Sequence, residues 1–183
     1  MSEVVRLTLV SHAMTDAMSA GRFPSDEALN ALGHRQLDAT PELGRVDVAI
    51  CGAEQRCLQT AARLGLAAQT DSRIGDLDCG AWSGRGLDEL PHDGLAAWMT
   101  DPTATPHGGE SLAALFDRVG GWLGSVVDMG GRVVAVTHPA VVRAVILLAL
   151  DAPPKSFWRI DIAPASRTLM HHRGGAWTLR STG

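Results

Sequence analysis

His12, His138 and Arg56 are the residues whose types and surroundings could do chemistry. His12 stands one residue beyond the apolar run Val4 to Val10, and His138 follows the β-branched run Val133 to Val136. Arg56 falls in about the first turn of the helical pattern after the apolar stretch Val46 to Cys51. Imidazole is the side chain that exchanges protons near neutral pH, and guanidinium is the one that pairs with anions. In open α/β sheets, ligands bind beyond the carboxyl ends of the strands, where loops and helix amino termini converge. Three distant segments thus deliver two imidazoles and one guanidinium to one rim. The other histidines read differently. His34 falls on a helix, and His171 and His172 sit side by side in a strand, so they face opposite sides. His92 and His107 fall in loops, where at most a peripheral contact is expected.

The elements that must position this rim alternate along the chain. Val4 to Val10, Val46 to Cys51 and Val133 to Val136 read as buried parallel strands. Asp26 to Leu37, Glu54 to Leu66, Glu110 to Val127 and Pro139 to Leu150 read as helices. In the third of these, Leu112, Leu115, Phe116, Val119, Trp122, Leu123 and Val126 follow the spacing of one buried face. The alternation predicts a three-layer α/β/α fold with a central, mostly parallel sheet. The tail departs from it. Phe157 to Ile162, Arg167 to His171 and Trp177 to Arg180 read as short strands, so antiparallel edge strands are expected from the C-terminal region. Asp78 to Pro106 is the least regular stretch and is expected to form a flap over the site.

Composition bounds the function. A chain of 183 residues with 45% hydrophobic and 20% charged residues supports one packed domain, and residues 1–183 are read as such. The net charge of −4 and the scattered basic residues provide no stripe for nucleic acid or an anionic membrane. The start Met-Ser-Glu lacks the basic and apolar regions of a secretion signal, and the longest apolar run, Ala144 to Leu150, falls far short of a membrane span. Cys51, Cys57 and Cys79 are odd in number and lack Cys-x-x-Cys spacing. That pattern fits reduced thiols in the cytoplasm, and no metal or other cofactor is implied.

With these features in place, the sequence resembles the histidine phosphatase superfamily, the phosphoglycerate mutase-like phosphatases, over essentially its whole length. Ser11-His12-Ala13-Met14-Thr15 stands where the family has Arg-His-Gly-x-Thr. Asp26, Leu29, Gly33 and Gln36 resemble a following Asp, Leu, Gly and Gln pattern, and Arg56 with Thr60-Ala61 resembles the second arginine motif. Asp76 occupies the place of the family's acidic proton donor, four residues before Gly80, with Asp78 as a rival. Gly109-Glu110-Ser111 with Arg118 is similar to the next helix start, and Val136-Thr137-His138 with Arg143 to the second-histidine motif.

The resemblance implies a phosphomonoester hydrolase acting on a small phosphorylated metabolite. His12 would attack phosphorus, Arg56 and His138 would hold the phosphoryl oxygens, and Asp76 would serve the leaving group and then water. Ser11, Thr15, Arg22 and Thr137 are the expected substrate-binding residues. Three departures bear on the pocket: Ser11 replaces arginine, Ala13 replaces glycine, and Met18 stands near the place of a phosphate-binding asparagine. Loss of one charge-assisted contact weakens phosphate binding by roughly 10- to 150-fold, and Arg22 reads either as a substitute charge or as a solvated loop residue. Two functions stay open: a hydrolase with altered preference, and an inactive relative that binds a phosphorylated or acidic ligand or a protein partner in the same crevice. The sequence leaves the oligomeric state open.

Overall fold

A computed structural model describes residues 4–183 of the chain, so the first three residues of the expected leaderless start lie outside it. β1 (Val5–Ser11), β2 (Val48–Cys51), β3 (Gln69–Thr70), β4 (Arg132–Thr137), β5 (Arg167–Arg173) and β6 (Ala176–Thr182) form one sheet in the order β3-β2-β4-β1-β5-β6. The first four run parallel, and β5 and β6 join antiparallel beside β1. This is the expected α/β architecture. The helices are α1 (Asp16–Ser19), α2 (Ala31–Asp38), α3 (Gln55–Arg63), α4 (His92–Thr100), α5 (Leu112–Met129) and α6 (Pro139–Ala149).

Alternation along the strands builds the two cores. In β4, Val133 and Ala135 pack with α5 and α6, whereas Val134 and Val136 pack with Cys57 and Ala61 of α3 on the other face. The expected stripe of α5 is buried in full, from Leu112 to Val126. Ser111 caps this helix by accepting from Ala114 N. Both central strands therefore end at one edge with helices above and below, which places His12 and His138 on adjacent chain ends.

Three local expectations are corrected. Phe157 to Ile162 is not a strand: Pro154–Arg159 forms a 3-10 helix, because Pro153 and Pro154 withhold donors and fix φ while Phe157 inserts into the core. The helix expected from Asp26 starts at Ala31, where Asn30 Oδ1 accepts from Gly33 N. Asp26 instead accepts from Gln55 N at the start of α3. The stretch Asp78 to Pro106 contains α4 as well as loops, and that helix buries Trp98 against Phe23 and Trp82. β3 went unread because two exposed polar residues carry no apolar pattern. Among the described residues, no helix is long and apolar enough to cross a membrane.

Candidate active site

The loop after β1 is held by side chains from two helices. Ala13 N donates to Thr60 Oγ1 at 3.1 Å, and Thr60 in turn donates to the Arg56 carbonyl at 2.7 Å. Met14 N donates to Gln36 Oε1 at 3.1 Å. Gly33 lets α2 lie directly on this loop, since a Cβ there would fall 2.3 Å from the Met14 oxygen. The Gly33, Gln36 and Thr60 positions are thus scaffold for His12. The imidazole of His12 is buried, with Nδ1 2.9 Å from the Ala13 carbonyl. Donation there fixes the proton on Nδ1 and leaves the Nε2 lone pair free. Burial, reinforced by the charge of His138, lowers its pKa to about 4, so the ring is neutral at physiological pH.

His138 caps α6, with its ring centroid 5.2 Å from that of His12. Nδ1 lies 3.3 Å from Asp76 Oδ2, and Nε2 lies 3.0 Å from Glu54 Oε2 and 3.3 Å from Cys57 Sγ. Both carboxylate contacts stand off the hydrogen-bond axes, so they are close ion pairs. Burial opposes a charge on His138, but Asp76 and Cys57 outweigh it and raise its pKa well above the ordinary value. Burial likewise works against charge on Glu54 and Asp76. His138 outweighs this at both, holding Glu54 at about 2 and, with help from Arg56, Asp76 well below the carboxylate range.

Asp76 is gripped on every side. Arg56 Nη2 donates to its Oδ2 at 2.7 Å, and its backbone N donates to Glu54 Oε1 at 2.9 Å. Arg118, itself paired with Glu110, donates to the carbonyls of Arg73, Gly75 and Asp76. Arg56 is buried, and its other terminus donates to the Ser25 carbonyl at 2.6 Å. Asp78 accepts from Gly80 N at 2.9 Å.

Above His12 opens a cavity of about 200 Å³ lined by Asp76 but not Asp78, with Arg22, Arg143 and several aromatic rings in its wall. Pro139 and Ala140 place the amino terminus of α6 at its floor, an end that favours anions. Arg56 and His138 stand behind Asp76 rather than in this wall, because the Asp76 carboxylate pairs with both. Of the expected substrate contacts, Arg22 alone lines the cavity, where it is 3.7 Å from Glu89. The Thr15 hydroxyl caps α1, and that of Thr137 donates to the Ile74 carbonyl at 2.6 Å. Ser11 is buried at the end of β1, its hydroxyl without a partner among the described residues. His107 is buried too, and accepts from Gly109 N.

The donor atoms of Glu54, Cys57 and His138 lie within 4.8 Å of one another, close enough to share one soft divalent ion. A proton on His138 Nε2 competes for the same place, and the two flanking carboxylates favour that proton. Glu54 escaped the sequence reading as a site residue, and Arg143 entered it only as part of the second-histidine motif, with no substrate role. Arg143 lies one turn past Pro139, and that i, i+4 spacing at the start of α6 was the available signal.

The description "Histidine phosphatase superfamily (branch 1)" matches residues 7–183. The chain belongs to this superfamily. It is 30% identical to phosphoserine phosphatase 1 of Hydrogenobacter thermophilus, over 92% of this chain and 87% of that one. It is also 30% identical to glucosyl-3-phosphoglycerate phosphatase of Mycobacterium tuberculosis, over 81% of this chain and 76% of that one. A 27% match to a bifunctional protein of the same organism spans 52% of that protein. In structure, a phosphoserine phosphatase mutant from Entamoeba histolytica bound to phosphoserine superposes with a TM-score of 0.89 at 21% identity, covering 97% and 96% of the two chains. A mycobacterial glucosyl-3-phosphoglycerate phosphatase complexed with VO3 gives 0.83 at 25% identity, covering 96% of each. Apart from the bifunctional protein, these relatives are named as phosphatases, and phosphoric monoester hydrolase is the enzyme class of this histidine phosphatase.

Proposed function

We propose that this chain hydrolyses a small phosphate monoester through a phosphohistidine on His12, and that it works as one domain, since its first and last strands share a sheet. The observation that carries the reading is the neutral His12 ring, its Nε2 free, at the base of a cavity that ends on a helix amino terminus. The Nε2 lone pair attacks phosphorus and the ester P–O bond breaks, releasing the alcohol once its oxygen takes a proton. Water then attacks the phosphohistidine, the P–N bond breaks, and phosphate leaves. The reading gives Arg56 and His138⁺ the role of holding the phosphoryl oxygens. The incoming phosphate competes with Asp76 for both cations, and an added dianion raises the pKa of Asp76. Asp76 then takes up a proton from solvent and passes it to the leaving oxygen, and as a carboxylate it accepts the proton of the attacking water, which later returns to solvent. That the mycobacterial relative forms a complex with VO3 supports binding of a phosphate-like group. We place the protein in the cytoplasm on the strength of three free, buried cysteines.

Brief incubation with a radiolabelled aryl phosphate tests the reading. Acid-labile, base-stable label should appear on the protein and be absent from His12→Ala. Label that survives that substitution ends the mechanism. The self-pairing of Arg56 and His138 with Asp76 and Glu54 favours a second reading, an inactive relative that binds a phosphorylated or acidic ligand. No label on either protein, with both folded, selects that reading.

A further inference from the structure

We infer that the cavity above His12 takes phosphate monoesters whose alcohol carries a flat aromatic ring, an inference that rests on the hydrolase reading for its chemistry. The wall around the nucleophile is built from rings. Phe23, Trp98, Phe157 and Trp158 all line it, with Trp98 and Trp158 centroids 4.3 Å apart and tilted by 60°. Phe157 meets Trp158 edge to face at 5.0 Å, and Phe23 meets Trp98 at 5.5 Å. Trp158 is only half-buried, so part of its surface faces open space. These rings come from the segment after α1, from α4 and from the 3-10 helix, elements distant in the chain.

Size and polarity narrow the occupant. The cavity measures about 200 Å³, and an apolar cavity of about 150 Å³ suffices for benzene. One ring with its phosphate is the scale that fits. A sugar needs hydrogen-bond partners for each hydroxyl, because polar groups buried without them are costly. Among the described residues, no Ser, Thr, Asn, Gln or Lys side chain lines this wall. The charged residues that do line it are partly engaged. Arg22 donates to the Gly84 carbonyl and pairs with Glu89. Glu27 accepts from Ser25 N at 2.8 Å and lies 3.8 Å from Arg56. Arg143 donates from Nε to the Ile160 carbonyl at 2.7 Å, with its guanidinium 5.4 Å from the Phe157 ring centre. That plane extends the aromatic wall and offers its remaining N–H groups toward the phosphate end. The half-buried rings of Phe23 and Trp158 gain from stacking on a ligand ring, whereas a short polar alcohol leaves their open faces to water.

Matched esters test this without confusing binding with leaving-group chemistry. 2-Phenylethyl phosphate and ethyl phosphate are both esters of primary alcohols, so the bond broken is the same. We expect kcat/KM at least about tenfold higher for the phenylethyl ester, and higher than for phosphoserine. In a second arm, quenching of tryptophan fluorescence reads binding of 3-phenylpropylphosphonate and of ethylphosphonate, which cannot be hydrolysed. A tenfold tighter Kd for the aryl compound is expected. Trp158→Leu, checked for native circular dichroism, should reduce both ratios to within about threefold. Equal turnover of all esters, or a preference for phosphoserine with Glu27 taking its ammonium, overturns the inference and leaves the hydrolase reading standing. Tight, selective binding of the aryl phosphonate with no ester hydrolysed does the reverse. Failure to bind the aryl phosphonate more tightly than the ethyl compound also overturns it.

Discussion

Glu54 Oε2 lies 3.0 Å from Nε2 of His138, so this ring nitrogen faces a carboxylate of the protein itself. With Asp76 at Nδ1, the imidazolium is held between two anions. Replacing Glu54 by glutamine keeps an oxygen for Asp76 N–H but removes one negative charge. Loss of that anion makes His138 easier to deprotonate. The alkaline limb of kcat/KM should therefore move to lower pH. A pH–rate profile of Glu54→Gln beside the native protein checks this, and an unmoved limb would show that Glu54 does not set the charge on His138.

His12 controls the acid side with the opposite sign. Its pKa is lowered to about 4, so the nucleophile stays unprotonated well below the ordinary histidine range. Once the substrate's own ionisation near pH 6 is divided out, kcat/KM should hold from pH 7 to about pH 5 and fall near pH 4. The same shift affects stability. Between the unfolded value of 6.5 and about 4 the unfolded chain binds the extra proton, so stability falls as pH drops through that window. The loss is on the order of 3 kcal/mol. Urea unfolding at pH 7 and pH 4.5 measures it, and His12→Phe should lose less over the same interval.

The frame of this site was readable because parallel strands announce themselves. Val5 to Ser11 and Arg132 to Thr137 are β-branched runs, and a residue just past such a run must stand at the sheet's carboxyl edge. What lies beside that residue is not coded by spacing. Glu54 reads in sequence as a helix start, and nothing there says that its carboxylate folds back onto His138. Phe157 and Trp158 looked like a strand because aromatic residues favour both strands and buried turns, and only the core shows which one holds. Thr15 and Thr137 stood at motif positions, and in the fold the Thr15 hydroxyl accepts from Met18 N while that of Thr137 donates to the Ile74 carbonyl.

Arg56 joins stability to function. It is buried and donates to both Asp76 and the Ser25 carbonyl. Arg56→Ala leaves the Asp76 carboxylate short of its nearest cation and should cost roughly 3–5 kcal/mol. The adjoining contact offers a cleaner control. Gly33→Ala disturbs only the packing of α2 on the His12 loop, where a Cβ would press on the Met14 oxygen at 2.3 Å. It should cost about 1–3 kcal/mol while vanadate still binds, whereas Arg56→Ala should lose vanadate affinity as well. Thermal unfolding with and without vanadate separates the two effects. Equal vanadate stabilisation of both variants would falsify a phosphoryl-holding role for Arg56.

Ser11 is the last position that can be decided by substitution. The residue pairs with Thr137 across the β1–β4 ladder, is almost completely buried, and keeps a hydroxyl without a partner among the described residues. A buried hydroxyl with no partner costs stability, so Ser11→Ala should be neutral or stabilising by about 1 kcal/mol. Were the hydroxyl a substrate contact, the same change would instead raise KM or lower kcat, and the paired measurement of Tm and kcat/KM distinguishes these outcomes. Ser11→Arg asks more of the fold, because the new side chain must leave a closed strand end to reach the cavity. Ala13 beside it is fully buried, with its N–H on Thr60, so the loop has little room to yield. The single change should therefore lower Tm. If the guanidinium reaches the phosphoryl group, turnover of a generic ester should rise by at least about tenfold, the scale of one charged hydrogen bond. Ser11→Arg with Ala13→Gly relieves the crowding and should raise it further. If the double variant folds and neither gains activity nor binds vanadate more tightly, charge at position 11 is not what limits this pocket. The existing cations, with Arg143 in the wall and Arg56 behind Asp76, then already meet its need for positive charge.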